Sequence, residues 1–210
     1  MSAVAHIKDF KAGKFFRDDF RGNISWNGYE HKVLLRNEGI DQNGKPRFAD
    51  VAMATGADDD KDGRGMSTAD FDNDGDLDMV INNNPGDSGK AERGRAVLLQ
   101  NNVGQRREWL TVELEGTQSN RDAVGATVTI EAAGQKQLRL MTAGSGFSSQ
   151  HSARLYFGLN DQTQIKSLTV QWPRGQVQRF EQIEGQPIKS RQLIKIKEGG
   201  AIEARGLPTK

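Results

Sequence analysis

Short apolar runs of period two, broken by Gly, Asn and Asp at intervals of roughly 8–15 residues, run through most of this chain. Long stretches with a 3.6-residue period are hard to find. The pattern predicts an all-β protein. It is clearest after Trp109, where Leu110, Val112 and Leu114 alternate with polar residues. Val124, Ala126, Val128 and Ile130 follow, then Leu138 and Leu140, Leu155 and Phe157, Leu168, Val170 and Trp172, Val177, and Leu193, Ile194 and Ile196. About seven or eight short strands in this stretch predict a β-sandwich-like domain over residues 105–198. The Asp-rich segment described below is expected to lie outside it. The final residues, 199–210, read as a weakly attached tail.

The first half carries a different signal. Val33-Leu34-Leu35-Arg36-Asn37 returns as Val97-Leu98-Leu99-Gln100-Asn101, each copy followed by a glycine, Gly39 and Gly104. The copies lie 64 residues apart, and repeats of such length point to propeller blades or solenoid units. Phe48-Ala49-Asp50-Val51 and Met79-Val80-Ile81 between the copies read as strands. Residues 1–104 are therefore expected to be a repeat region forming an incomplete propeller. Its apolar faces, Val33/Leu35 and Val97/Leu99, would stand uncovered, which invites self-association or docking to further blades.

Composition excludes several classes. The chain has 210 residues and no cysteine, so a disulfide scaffold, a zinc finger and a cysteine nucleophile are ruled out. No apolar run approaches a membrane span. The first twenty residues lack the apolar core of a signal peptide. The basic residues of the second half are dispersed and not interleaved with aromatics, which argues against a nucleic-acid partner.

The acid is concentrated. Between Asp50 and Asp87 lie eleven aspartates, no glutamate and two cations, Lys61 and Arg64. Such a segment repels itself unless a cation intervenes. Within it, Asp70, Asp72 and Asp74 occupy alternate positions, Gly75 permits a sharp turn, Asp76 offers its backbone carbonyl and Asp78 a further carboxylate. All-oxygen ligation of this kind suits Ca²⁺. An EF-hand is excluded, because its twelfth position is Ile81 and no helix precedes it. Asp58, Asp59, Asp60 and Asp62 are candidates for a second site or for a solvated loop.

Gly63-Arg64-Gly65, the Asp70–Asp78 stretch and Val80-Ile81-Asn82-Asn83-Asn84 together resemble the FG-GAP, or VCBS, repeat of integrin-like propellers. The remainder resembles the ASPIC/UnbV domain of cartilage-acidic-protein-like bacterial proteins. The matching blocks are residues 109–116 (WLTVELEG), 119–126 (SNRDAVGA), 144–150 (GSGFSSQ), 157–159 (FGL) and 170–175 (VQWPRG), in that order. The resemblance implies a propeller with calcium loops, a following β-domain, and an extracellular or periplasmic setting. It implies a calcium-binding adhesion or interaction module with a protein or glycan partner. One wall of a propeller-scaffold enzyme, or a purely structural subunit, are the alternatives.

Three other motifs carry a sharper and a plainer meaning. Pro85-Gly86-Asp87-Ser88-Gly89 contains the GDSG of a serine protease, yet no His has a supporting signature, so a flexible loop is expected. Gly144-Ser145-Gly146 with Ser148-Ser149-Gln150-His151 lacks the nucleophile-elbow pattern and reads as a turn. Asn120-Arg121-Asp122 reads as an Asx corner, with Arg121 open to a ligand role. Trp172 is expected in the core, whereas Trp26 and Tyr29 fit either core or surface.

Overall fold

The structure, a computed structural model, describes residues 31–59, 61–83, 95–144 and 146–206. Trp26, Tyr29, the GDSG segment, Asp60 and Ser145 lie outside these. The fold is all-β and its sheets are not closed into a barrel or ring. The described residues divide into two compact units, with the divisions after residues 65, 80 and 99: the segments before 66 and over 81–99 form one, those over 66–80 and from 100 onward the other.

In the first unit, β1 (Leu35–Ile40) pairs antiparallel with β2 (Pro46–Asp50). Asp41 organises their turn: its Oδ1 accepts the N–H of Asn43 at 2.8 Å and of Lys45 at 2.9 Å. A one-turn helix, α1 (Ala52–Thr55), ends at Gly56 with φ +76°. The strand expected around Phe48–Val51 thus exists as β2, shifted by a residue or two. Val33, Leu35, Ile40 and Phe48 are all exposed. Neither strand of the ribbon has a buried face, and these apolar side chains stay uncovered among the described residues.

The division between the units crosses β3 (Gly63–Ala69) and β4 (Asp78–Asn83), which with β5 (Val97–Leu99) make a three-stranded sheet in the order β3-β4-β5. A four-stranded blade does not occur among the described residues of this region.

The second unit holds two four-stranded sheets and a small three-stranded one. The first sheet joins β12 (Val177–Phe180), β11 (Ser167–Gln171), β7 (Thr127–Ala132) and β8 (Gln135–Leu140) in that order. The second joins β16 (Ile202–Arg205), β15 (Gln192–Lys197), β6 (Glu108–Glu115) and β9 (Leu155–Asn160). The third joins β10 (Gln164–Ile165), β14 (Gln186–Lys189) and β13 (Gln182–Ile183). All pairs in the second unit are antiparallel except β6 with β15, which run parallel.

One core fills this unit. Alternate residues of both large sheets meet there: Leu110, Val112, Val128, Ile130, Phe157, Leu168, Val170, Ile194 and Ile196, with Ile165 and Ile188 from the small sheet. Burying each such side chain contributes about 1.5–3 kcal/mol, which sets the register of every strand. Trp172 belongs to this core and donates its Nε1–H to Gln178 Oε1 at 2.5 Å.

Three sequence expectations change here. Leu138 and Leu140 alternate, but on the outer face of β8, where both are more than half exposed. Gln137 and Arg139 take the other face instead and donate to the carbonyls of Gly158 and Tyr156 on β9, bridging the rims of the two sheets. Val177 is likewise exposed. The tail over 199–210 is not weakly attached throughout, because Ile202–Arg205 is β16, in register with β15 from Ile196↔Ile202 to Leu193↔Arg205. Finally, residues 66–80 share one compact unit with the C-terminal sheets and do not stand outside them.

Candidate metal centre

Asp70 follows the last residue of β3 and Asp78 opens β4, two neighbouring strands of one sheet. This sets the first and ninth positions of the Asp motif side by side. The connection between them turns sharply because Asn73 and Gly75 adopt positive φ, +59° and +100°. Gly75 also lies against Trp109: a Cβ there would sit 1.9 Å from the indole Cε2.

The loop knits itself together through its own carboxylates. Asp70 Oδ1 accepts the N–H of Asp74 at 3.1 Å, and its Oδ2 accepts that of Gly75 at 3.0 Å. Asp78 Oδ2 accepts the Phe71 N–H at 3.0 Å, and its Oδ1 the Asn101 N–H at 2.8 Å. Asp74 Oδ1 accepts the Asp76 N–H at 3.2 Å, and Asp72 Oδ2 accepts from Gln100 Nε2 at 2.7 Å.

Of the five predicted residues, Asp70, Asp72 and Asp78 come together, with one carboxylate oxygen of each within 4.8 Å of the others. Asp74 is outside that trio. Asp76 was expected to matter through its carbonyl alone, yet its side chain is buried as well. Its Oδ2 accepts the Gln105 N–H at 2.9 Å, while its Oδ1 has no hydrogen-bond partner among the described residues.

Burial and mutual repulsion unsettle this concentration of charge. Burial pushes the Asp76 carboxyl up to about 6, against the lowering hydrogen bond from Gln105, and the charges of Asp74, Asp78 and Asp70 push the same way. Burial also raises Asp70, assisted by Asp74, and raises Asp74, assisted by Asp72 and Asp78. Carboxyls held above their ordinary range in this manner favour either a proton or a cation.

The loop is held in place by residues that motif spacing did not single out. Trp109 backs Gly75. Arg154 donates from Nη1 to Asn73 Oδ1 at 3.3 Å and lies 3.9 Å from Glu113. Tyr156 Oη accepts the Asp70 N–H at 3.4 Å. Gln100 and Asn101 close the second copy of the five-residue repeat, which is the one sequence signal that marked them.

Asp58, Asp59 and Asp62 do not form a second such cluster among the described residues. Asp58 Oδ1 faces His31 Nδ1 at 2.8 Å, Asp59 Oδ1 accepts the Lys61 N–H, and Asp62 Oδ2 accepts from Arg64 at 2.7 Å. Lys32 Nζ donates to the carbonyls of Asp59 and Lys61, at 2.9 Å each.

The other motifs settle into structural roles. His151 Nδ1 accepts the Thr68 N–H at 3.1 Å and lies 3.0 Å from Thr68 Oγ1, fastening its loop to β3. Asn120 is an Asx corner: its Oδ1 accepts the Val124 N–H at 2.8 Å and its Nδ2 donates to the Val124 carbonyl at 2.9 Å.

Comparison with known proteins agrees with the C-terminal half of this picture. Residues 116–203 match the family described as ASPIC and UnbV, and the match extends into β16. The chain is also 26% identical over 159 residues to cartilage acidic protein 1 of Xenopus tropicalis, an alignment covering 75% of this chain. That alignment covers 23% of the relative, so the chain spans under a quarter of the length of the protein it matches.

Proposed function

We propose that this chain is a non-catalytic interaction module, an ASPIC/UnbV β-domain whose neighbouring Asp loop is stiffened by Ca²⁺. The observation that carries the calcium reading is the meeting of Asp70, Asp72 and Asp78 at the junction of β3 and β4. The donor set fits: all oxygen with several carboxylates, within the variable coordination that Ca²⁺ accepts. Asp70, Asp72 and Asp78 would hold the ion, with Asp74 and the Asp76 carbonyl as further ligands. Bound there, a divalent cation supplies the positive charge that the cluster lacks. The FG-GAP/VCBS likeness of residues 63–84 supports the same assignment.

The non-catalytic reading rests on where the chemically suggestive side chains go. His151 is tied to Thr68, and the Asp cluster is knitted into its own backbone. The partner, protein or glycan, would meet this module in an extracellular or periplasmic setting, where calcium is plentiful. The uncovered apolar residues Val33, Leu35, Ile40 and Phe48 are where self-association or further blades would dock.

Calorimetric titration of the chelator-treated chain with Ca²⁺, paralleled by Mg²⁺, tests the metal. Extracellular modules bind calcium with dissociation constants of about 10⁻⁴–10⁻³ M. A titration with Ca²⁺ that fits a dissociation constant in that range, and a weaker response to Mg²⁺, are expected. No heat with either ion would remove calcium from the proposal.

A further inference from the structure

In the second sheet, β6 and β15 run parallel and end together, Lys197 lying opposite Glu115. The next residue, Glu198, donates its backbone N–H to the Glu115 carbonyl at 2.9 Å. From this point β6 leads into the loop beginning at Gly116, and β15 turns back into β16. Glu198 is only 4% exposed. A charged residue is seldom buried so deeply unless it is fully bonded.

Its bonding is complete. Oε2 accepts three successive backbone N–H groups, from Thr117 at 2.8 Å, Gln118 at 2.8 Å and Ser119 at 2.7 Å. Oε1 accepts the Ser119 hydroxyl at 2.7 Å, and Thr117 Oγ1 donates to the Glu198 carbonyl at 3.0 Å. Converging main-chain N–H groups form an anion receptor whose charge preference is set by backbone shape.

That shape has supports of its own. Asn120 braces the far side of the loop through its two bonds to Val124. The Gly116 N–H donates to the Arg121 carbonyl at 2.9 Å. Gly116 itself is required by the close approach, since a Cβ there would lie 2.0 Å from the Asn120 carbonyl oxygen. These supports do not involve Glu198.

We propose that Thr117–Ser119 is a carboxylate-binding site, occupied in cis by Glu198, and that this occupancy latches the β15–β16 hairpin onto the domain. The stake is the sheet edge. In the order β16-β15-β6-β9, β16 is the strand that covers β15. Losing it would bare the backbone beside Leu193, Ile194 and Ile196 as an open edge.

The test is hydrogen exchange on the full chain bearing Glu198→Ala, in sodium acetate and in sodium chloride of equal ionic strength. Hydrogen bonds to a charged group are strong enough that exchange at the Thr117, Gln118 and Ser119 amides should accelerate at least about tenfold. The β16 amides should follow. Acetate should restore protection at the three loop amides in a saturable manner, and chloride should not. Unchanged protection in the variant, or equal restoration by both salts, overturns the proposal. Ser119→Ala, which removes one hydroxyl and leaves the three N–H groups, keeps the idea exposed if Glu198→Ala does not fold. Its loop amides should stay protected, and their release would mean that the side chain, not the backbone cradle, holds Glu198.

Discussion

Gly75 and Trp109 are in such close contact that no other residue fits at position 75. The backbone there has φ +100°, and an added Cβ would fall 1.9 Å from Cε2 and 2.2 Å from Nε1 of the indole. The Asp loop and strand β6 thus fix each other. Gly75→Ala combines left-handed strain with overpacking, each costing about 1–3 kcal/mol. Gly185 has φ +77° with nothing within 4 Å of a Cβ, so Gly185→Ala incurs the backbone part alone. Thermal melts of the two variants should separate, with Gly75→Ala the lower, and only Gly75→Ala should change the tryptophan fluorescence. Equal melting temperatures would mean that the contact can relax.

The calcium proposal makes a residue-by-residue prediction. With dissociation constants of about 10⁻⁴–10⁻³ M, roughly 2 mM Ca²⁺ adds about 0.7–1.8 kcal/mol of stability. The melt should therefore rise by a few degrees over that in chelator. Asp72→Ala should abolish the difference. Asp76→Ala should preserve it, because the side chain of Asp76 bonds to Gln105 and its carbonyl survives the substitution. It should nonetheless lower both melts if the Gln105 N–H is left unpaired. A variant that loses the calcium response along with the Asp76 carboxylate would place that side chain among the ligands.

Acid should act at Glu198. Burial opposes its ionisation, but the hydrogen bonds from Ser119, Thr117 and Gln118 outweigh that and hold the carboxyl down to about 2, below its ordinary 4.5. A folded value below the unfolded one stabilises the fold above pH 4.5. That contribution declines as pH falls from 4.5 toward 2. Glu198→Gln lacks this titration. Its melting temperature should be lower than wild type at pH 7, and the gap should narrow as the pH falls through that window. A gap that is constant with pH would show that the Glu198 charge contributes nothing.

The strands of the second unit were legible because its core imposes a simple rule: Leu110, Val112, Val128, Ile130, Leu168 and Val170 alternate, and all are buried. The Asp motif was legible in part: spacing marked Asp70, Asp72 and Asp78, which the β3–β4 pairing brings to one place, but it did not show that Asp74 lies outside that trio. The failures have physical causes too. At β8 the alternation misled, since an edge strand can turn Leu138 and Leu140 outward when Gln137 and Arg139 have carbonyls to bond across the rim. β16 was missed because IEAR contains one strong strand former and takes its order from hairpin pairing with β15, which its own residue pattern does not show. The burial of the Asp76 side chain was not legible, because sequence spacing carries no information about the Gln105 N–H.

Thr111 shows where alternation fails on a central strand, and it yields the sharpest stability test. On β6 the core-facing residues are Leu110, Val112 and Leu114, so Trp109, Thr111 and Glu113 belong to the opposite face. Such a face is ordinarily wet, yet Trp109 is 8% exposed and Thr111 1% exposed. Gly75 accounts for the cover over Trp109, and Arg154 reaches Glu113 nearby. The Thr111 hydroxyl is left buried without a hydrogen-bond partner among the described residues. A buried, unbonded hydroxyl costs about 1–3 kcal/mol by mutational measures. Valine keeps the branched shape and the strand preference while removing the polar atom. Thr111→Val should therefore match or exceed wild-type stability, raising the melt by up to a few degrees. Thr111→Ala should lower it, because a methyl is lost from a close-packed site. A destabilised Thr111→Val would show that the hydroxyl is bonded in solution, most simply by a buried water, and that the outer face of β6 is wetter than the packing of Gly75 on Trp109 implies.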